Sequence, residues 1–291
     1  GAAAAAGRLL GLGGPSIAGA IDAASALSLA PPFAAALRGS YVRNTWIGAS
    51  GAAGLVAARL GAAGLVGVDA LAGDTFGAIL GTLDVDELTA DLGERYEILG
   101  GYFKRHAACA YTHPVADAVL ELRAAGLTDA DPIQSIEVET YSAAATLDAG
   151  EWPTRLAAMF SIPYVVAETL QSGSFGPAAT SAERRADATN RRLADAVSVR
   201  ATAEFDERLP VERGARVTVV DRSGNRRGAE VRNPIGDADH QPLGWPEVGA
   251  KLAVLIGEPV ASRLRRGVTE LPASATIAPW VSSLTMPGDG A

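Results

Sequence analysis

Asp131-Pro-Ile-Gln-Ser-Ile-Glu-Val-Glu-Thr-Tyr141 divides the chain. Before it, apolar residues recur at helical spacing; from Ile133 they alternate with polar ones, the pattern of a strand with one face buried. Val197 to Phe205 and Arg216 to Val220 alternate in the same way, the second leading through the turn Ser223-Gly224-Asn225 into a return strand that ends at Val231. Helical patterns at Thr154 to Gln171 and Ser181 to Ala196 separate the first two of these strands. The fold class expected is a mainly α-helical domain with a smaller α+β domain. Residues 1–132 form the first part of the helical domain, 133–235 the α+β domain, and 236–291 a return to helix ending in an irregular tail.

Outward from that boundary, Gly1 to about Gly126 reads as helix throughout, punctuated at Gly13-Gly14-Pro15, Pro31-Pro32 and Gly73-Asp74. Within Asn44 to Gly64, Gly48, Gly51, Ala52, Gly54 and Ala58 strip bulk from one helix face, so another backbone can approach, as in a bundle or dimer seam. Glycine costs about 1 kcal/mol relative to alanine inside a helix, so several of them imply a compensating contact. Beyond Asn233-Pro234, helices are expected at Trp245 to Leu255 and Glu258 to Arg265, and Leu271 to Ala291 is rich in Pro, Ser and Thr.

Composition excludes several classes. The 291 residues suffice for a buried core without disulfides or metals. With 48% apolar residues but only 5% aromatic, that core must be built largely from Ala, Val and Leu. The net charge of −8, with arginines scattered, argues against a nucleic-acid partner. One cysteine can make no internal disulfide and sits in no zinc spacing, so a reducing, cytoplasmic setting without a metal is expected. Asp22 breaks the apolar run after Leu12, and Arg59 and Asp69 break the run between Ile47 and Leu71, so no membrane span is expected. The chain opens on Gly1 and an alanine run that reads as the inside of a helix, so it is expected to start within a longer sequence.

Chemistry concentrates in Tyr102-Phe-Lys-Arg-His-Ala-Ala-Cys-Ala-Tyr-Thr-His-Pro-Val-Ala-Asp117, which carries two of the three histidines, the single cysteine and a lysine. The Thr112 hydroxyl is expected to cap a helix with His113 and Pro114 in its first turn, continuing from Val115 to Ala125 and stopped by Gly126. Lys104, Arg105, His106 and His113 then gather positive and proton-donating groups at a helix start, an environment that suits a carboxylate. The plainer alternative is that His113 only closes its helix and Lys104 is a solvated surface residue. Cys109 reads as a buried filler. Gly11-Leu-Gly-Gly14 lacks the strand and the third glycine of a dinucleotide fingerprint, and Gly48-Ala-Ser-Gly51 lacks the context of a nucleophile elbow, leaving Ser50 as a packing residue.

Taken in order, these segments resemble the MmgE/PrpD family, which includes 2-methylcitrate dehydratase, cis-aconitate decarboxylase and iminodisuccinate epimerase. Gly1 to Leu12 is similar to the alanine-rich helix after the family's central histidine, and Gly39-Ser-Tyr-Val-Arg-Asn-Thr-Trp-Ile-Gly48 to its lysine-containing loop. Phe103-Lys104 through Tyr111-Thr-His-Pro114 and Asp117-Ala118 resembles its most recognisable motif. Phe160-Ser-Ile-Pro-Tyr164 resembles the next signature, and Asn233-Pro-Ile-Gly236 with Lys251 the closing segment.

The resemblance implies a helical domain completed by the C-terminal return, with residues from about 133 to 235 as a lid, and a dimer. It implies cofactor-free lyase or isomerase chemistry on a small carboxylate: proton abstraction followed by dehydration, decarboxylation or epimerisation, the charge supported by Arg or Lys. Lys104, His106, His113 and Tyr111 are then the expected catalytic residues, and Arg43, Trp46, Met159, Phe160 and Ser161 the expected substrate contacts. The sequence also departs from the pattern. The family's N-terminal acidic and histidine segments have no counterpart, so a partner chain is expected to supply acid/base residues, in a homo-oligomer or a heteromeric complex. Arg43 and Trp46 stand where lysine and histidine are usual, and Met159 and Phe160 where a basic residue is. Arginine still clamps a carboxylate but is a poor proton donor. The alternative is a catalytically altered member that scaffolds a partner or binds a more apolar ligand.

Overall fold

Alanine gives up no side-chain entropy on entering a helix, and the alanine-rich opening of the chain is helical over Ala2–Leu9, Gly14–Ala26 and Trp46–Ala62. The computed structural model describes every residue except Leu29, Val68, Asp69, Ala275, Pro279 and 282–291. The chain forms two compact units, Gly1–Tyr96 and Glu97–Ala291.

In the first unit the three helices meet on a core of Ala3, Ala20 and Ala57, with Ala23 and Ala24 against it. The Trp46–Ala62 helix comes so close to the first that a Cβ on Gly54 would lie 2.6 Å from the Ala2 Cβ and 2.8 Å from the Ala3 nitrogen. This is a bundle seam, but narrower than the glycine spacing suggests. Gly48 and Gly51 face open space, and Ser50 is exposed rather than packed. Small side chains bury little area, and the unit leaves large ones outside: Leu9 is 88% exposed and Ile47 82%. Asp69, invoked against a membrane span, lies outside the described residues; among those described, no helix is long and apolar enough to cross a membrane.

The second unit is organised by a four-stranded sheet of order β2-β1-β3-β4: β1 (Ile133–Thr140), β2 (Val197–Ala201), β3 (Ala215–Asp221) and β4 (Arg226–Val231). β1 runs parallel to β2 and antiparallel to β3, which is antiparallel to β4. Ile136, Val138 and Thr140 of β1 are buried at period two, while Ile133 is buried out of phase because the pairing with β3 shifts register between Ile133 and Ser135. The other face is held by charge. Arg200, Glu139, Arg216 and Glu230 are register partners across all four strands, joined at 2.6, 3.2 and 2.6 Å. Such cross-strand pairs contribute about 0.2–1 kcal/mol each.

The buried face carries the helices His113–Ala124, which lies against β3 and β4, and Ile162–Ser172, which packs on that helix and on β2. Three local expectations are corrected. The strand expected to Phe205 ends at Ala201, because Ala203–Glu207 turns helical and buries Phe205 against Tyr141 and Ala144. Thr154 to Gln171 is two helices, Arg155–Met159 and Ile162–Ser172, parted where Ser161 accepts the Tyr164 N–H as an N-cap. Ser181 to Ala196 likewise divides, with Asp187 capping Ala188–Asp195. The expected return to helix occurs at Trp245–Ile256 and Glu258–Glu270, which pack together. The irregular tail from Leu271 lies mostly outside the described residues, although Leu271–Ala273 forms a short 3-10 turn.

Candidate functional site

The helix His113–Ala124 is buried along nearly its whole length, so whatever its first turn faces is inside the second unit. Residues 103–109 lead into it without regular structure and are pinned by backbone bonds: Phe103 N–H to Gly236 O at 3.0 Å, Ala107 N–H to Phe175 O at 2.9 Å and Cys109 N–H to Met159 O at 2.9 Å. Thr112 does not cap the helix with its hydroxyl; that group donates to the Cys109 carbonyl at 2.9 Å. Cys109 is buried.

Asp117 is one turn beyond His113 on the same helix, and its carboxylate is buried. One oxygen accepts from His106 Nε2 at 2.9 Å and from the Arg105 guanidinium at 3.2 Å; the other accepts the Ile235 N–H at 2.9 Å. Burial alone would raise its pKa, but the hydrogen bond and charge of His106, the Ile235 N–H and Arg105 outweigh burial and hold the carboxyl below its ordinary value. An anionic acceptor fixes a proton on His106 Nε2. With Nε2 engaged by Asp117, the other ring nitrogen, Nδ1, makes no hydrogen bond among the described residues.

His113 is fully buried, edge-on to His106 with ring centroids 5.1 Å apart. Burial first, then the neighbouring His106 and Lys104, push its pKa down to about 3, against smaller opposing effects of the Ala108 carbonyl and Asp117. The imidazole is neutral at pH 7. Its Nδ1 is hydrogen-bonded to the Tyr102 hydroxyl, whose own pKa is raised by burial and then by Asp117, so the phenol donates and His113 carries its proton on Nε2.

Beside this pair lies a cavity of about 360 Å³. Its floor is the segment Lys104 to Ala108, and its walls are Met159, Gly176, Pro177 and the face of the Trp245–Ile256 helix that carries Lys251, Val254 and Leu255. Lys104 donates to the Ala108 carbonyl at 3.1 Å, and Lys251 donates to the Lys104 carbonyl. Burial, then the charge of Lys104, lower the pKa of Lys251. Cationic groups thus converge on a partly apolar cavity with a histidine base at its edge, an arrangement suited to binding an anion and moving a proton.

The other expected site residues lie as follows. Met159 lines the cavity, whereas Phe160 is buried beside it in the chain, and buried Ser161 donates to the Ala149 carbonyl at 2.6 Å. Tyr111 packs edge-on to Tyr141 at 5.6 Å, in the cluster with Ala144 and Phe205. Arg43 and Trp46 belong to the first unit, where the guanidinium lies 5.9 Å from the Trp46 ring centroid. Asp117 and Tyr102 join the site unexpectedly; the only signal for either in the sequence is the spacing of Asp117 from His113, one helical turn. The third histidine, His240, is linked through Nδ1 to Asp237 at 2.7 Å, and Arg213 holds the other Asp237 oxygen at 3.1 Å. That cluster closes the 233–241 loop which delivers the Ile235 N–H to Asp117. Among the described residues no three His, Cys, Asp or Glu side chains gather as a metal site.

A helical and α/β protein with a buried histidine–carboxylate pair beside a cationic cavity is the class that fold and geometry define. The sequence profile of the MmgE/PrpD C-terminal domain matches residues 106–270. The chain belongs to the MmgE/PrpD family. Comparison with curated proteins gives no significant match.

Proposed function

We propose that this chain contributes to cofactor-free lyase or isomerase chemistry on a small carboxylate. The observation that carries the reading is His106, tied through Nε2 to Asp117 and lining a cavity together with Lys104, Arg105 and Lys251. Lys104 and Lys251 bind the carboxylate, and Arg105 neutralises Asp117 while adding positive potential. His106 Nδ1 removes the proton from the carbon next to the carboxylate, and the electron pair moves into an enolate that the cations support. That pair then expels hydroxide from the adjacent carbon, giving dehydration, or is reprotonated on the opposite face, giving epimerisation. In a decarboxylation, protonated His106 delivers its proton to the carbon from which carbon dioxide departs.

His113, neutral and bonded through Nδ1 to Tyr102, packs edge-on against the His106 ring and holds it in place. In this reading residues 133–235 act as a lid, and Tyr111, Phe160 and Ser161 shape its inner edge. Further acid/base groups are supplied by a partner chain. The single buried Cys109 supports a reducing, cytoplasmic setting.

The test is an assay of the native protein, with any chain that co-purifies, on citrate-like and aconitate-like acids. Turnover that Lys104→Met lowers at least a hundredfold, the scale of removing one electrostatic group, supports the reading. Binding of these acids without turnover favours the second one, an altered member that scaffolds a partner; the arginine and tryptophan at positions 43 and 46 support that alternative.

A further inference from the structure

The cavity has two ends of different chemistry. Lys251 and, one turn along the same helix, Val254 and Leu255 face it together, so a single helix supplies both a cation and an apolar surface. Lys251 reaches the Lys104 carbonyl, which sets the cationic end beside Lys104 and His106. Val254 and Leu255 are exposed, and Met159 and Pro177 stand on the cavity's other walls. No acidic residue is among the described residues that line it. Large apolar side chains left half or more exposed around a cavity that already carries ligand-binding cations are better placed to cover a hydrocarbon than to meet water.

We propose that the ligand of this site is a carboxylate with an alkyl tail, its acid group at Lys104 and Lys251 and its tail laid on Met159, Val254 and Leu255. The inference rests on the carboxylate reading above and adds the substrate class. At the roughly 30 Å³ that a water-sized group occupies in a liquid, a 360 Å³ cavity holds about a dozen heavy atoms. That is more than a four-carbon diacid fills; a diacid with a butyl substituent and citrate both reach it, so the apolar wall decides between them. A compact acid such as citrate, with a polar group on every side, would leave oxygens against the apolar wall.

Calorimetric titration of the native protein with succinate, citrate and 2-butylsuccinate tests this. Each fully buried methylene is worth roughly fourfold in affinity, so butylsuccinate is expected to bind about tenfold or more tighter than succinate even with its tail half covered. The double variant Val254→Asn, Leu255→Gln, at exposed positions where folding is not at stake, is expected to bring the affinity for butylsuccinate down to the affinity for succinate measured with the same variant. Equal affinity for all three acids, or a butyl advantage that survives the double variant, overturns the apolar-tail subsite while the carboxylate reading stands. Failure of all three to bind overturns both.

Discussion

Asp117 holds His106 Nε2 at 2.9 Å with one carboxylate oxygen while the other takes the N–H of Ile235, 118 positions further along the chain. One buried side chain thereby fixes the tautomer of the candidate base and docks the loop that closes the second unit behind it.

Asp117→Asn separates these roles. The neutral amide cannot compensate Arg105, and breaking one partner of a buried ion pair costs about 3–5 kcal/mol; the half-exposed arginine places the expected loss at the lower end, about 3 kcal/mol. The same change frees the His106 tautomer and lowers turnover by about 10- to 100-fold, the scale of removing a group that orients a functional histidine. Chemical denaturation and kcat measured on one preparation check it. Lost stability with unchanged kcat and an unchanged pH profile would contradict the positioning role.

The pH dependence of stability follows from His113. In the unfolded chain its imidazole has the ordinary pKa of 6.5, but in the folded protein burial, then the neighbouring His106 and Lys104, hold it at about 3. Between these values the unfolded state binds the extra proton, so the stabilisation is complete above about pH 6.5 and is lost as pH falls towards 3. One such group gives at most about 1.4 kcal/mol per pH unit. Asp117, held below its ordinary 3.8, adds its own loss only at the acid end of that range. Urea midpoints should fall steadily from pH 7 to pH 4. In His113→Gln, less stable at pH 7, the slope between pH 6.5 and 4 should flatten. A wild-type midpoint that is constant from pH 7 to 5 would contradict the neutral buried imidazole.

Gly236 is the glycine on which the site depends. Its φ is +104°, its carbonyl accepts the Phe103 N–H at 3.0 Å, and a Cβ would collide with the Phe103 carbonyl. Gly236→Ala is expected to cost about 2–3 kcal/mol from backbone strain and displacement of the loop, lowering Tm by several degrees. Because Ile235 moves with its neighbour, His106 should lose part of its support, and turnover should fall with stability. A variant with an unchanged Tm would show that the loop is not pressed against Phe103.

Much of this was legible in the chain. The break at Asp131-Pro132 and the alternation from Ile133 located the sheet, and the Lys104–His113 segment located the candidate site, because local periodicity and residue chemistry decide both. The Ser161 cap that divides one helix pattern and the turn that buries Phe205 were not legible, since tertiary packing overrode a continuous local pattern in each. The pairing of Asp117 with Ile235, the approach of Lys251 to Lys104 and the turning of Tyr111 toward Tyr141 depend on how distant segments fold together. Spacing along a single sequence carries no signal for those.

In the proposed reaction His106 Nδ1 takes a proton from the carbon beside a bound carboxylate. Proton NMR of citrate, cis-aconitate and 2-butylsuccinate incubated in D₂O with the native protein and with His106→Gln measures that step apart from any overall reaction. Deuterium should enter one of these acids at the carbon next to a carboxylate, at least a hundredfold slower in the variant, which keeps a hydrogen-bonding side chain toward Asp117. Exchange at the same rate in both proteins, or acids that bind and never exchange, would contradict it.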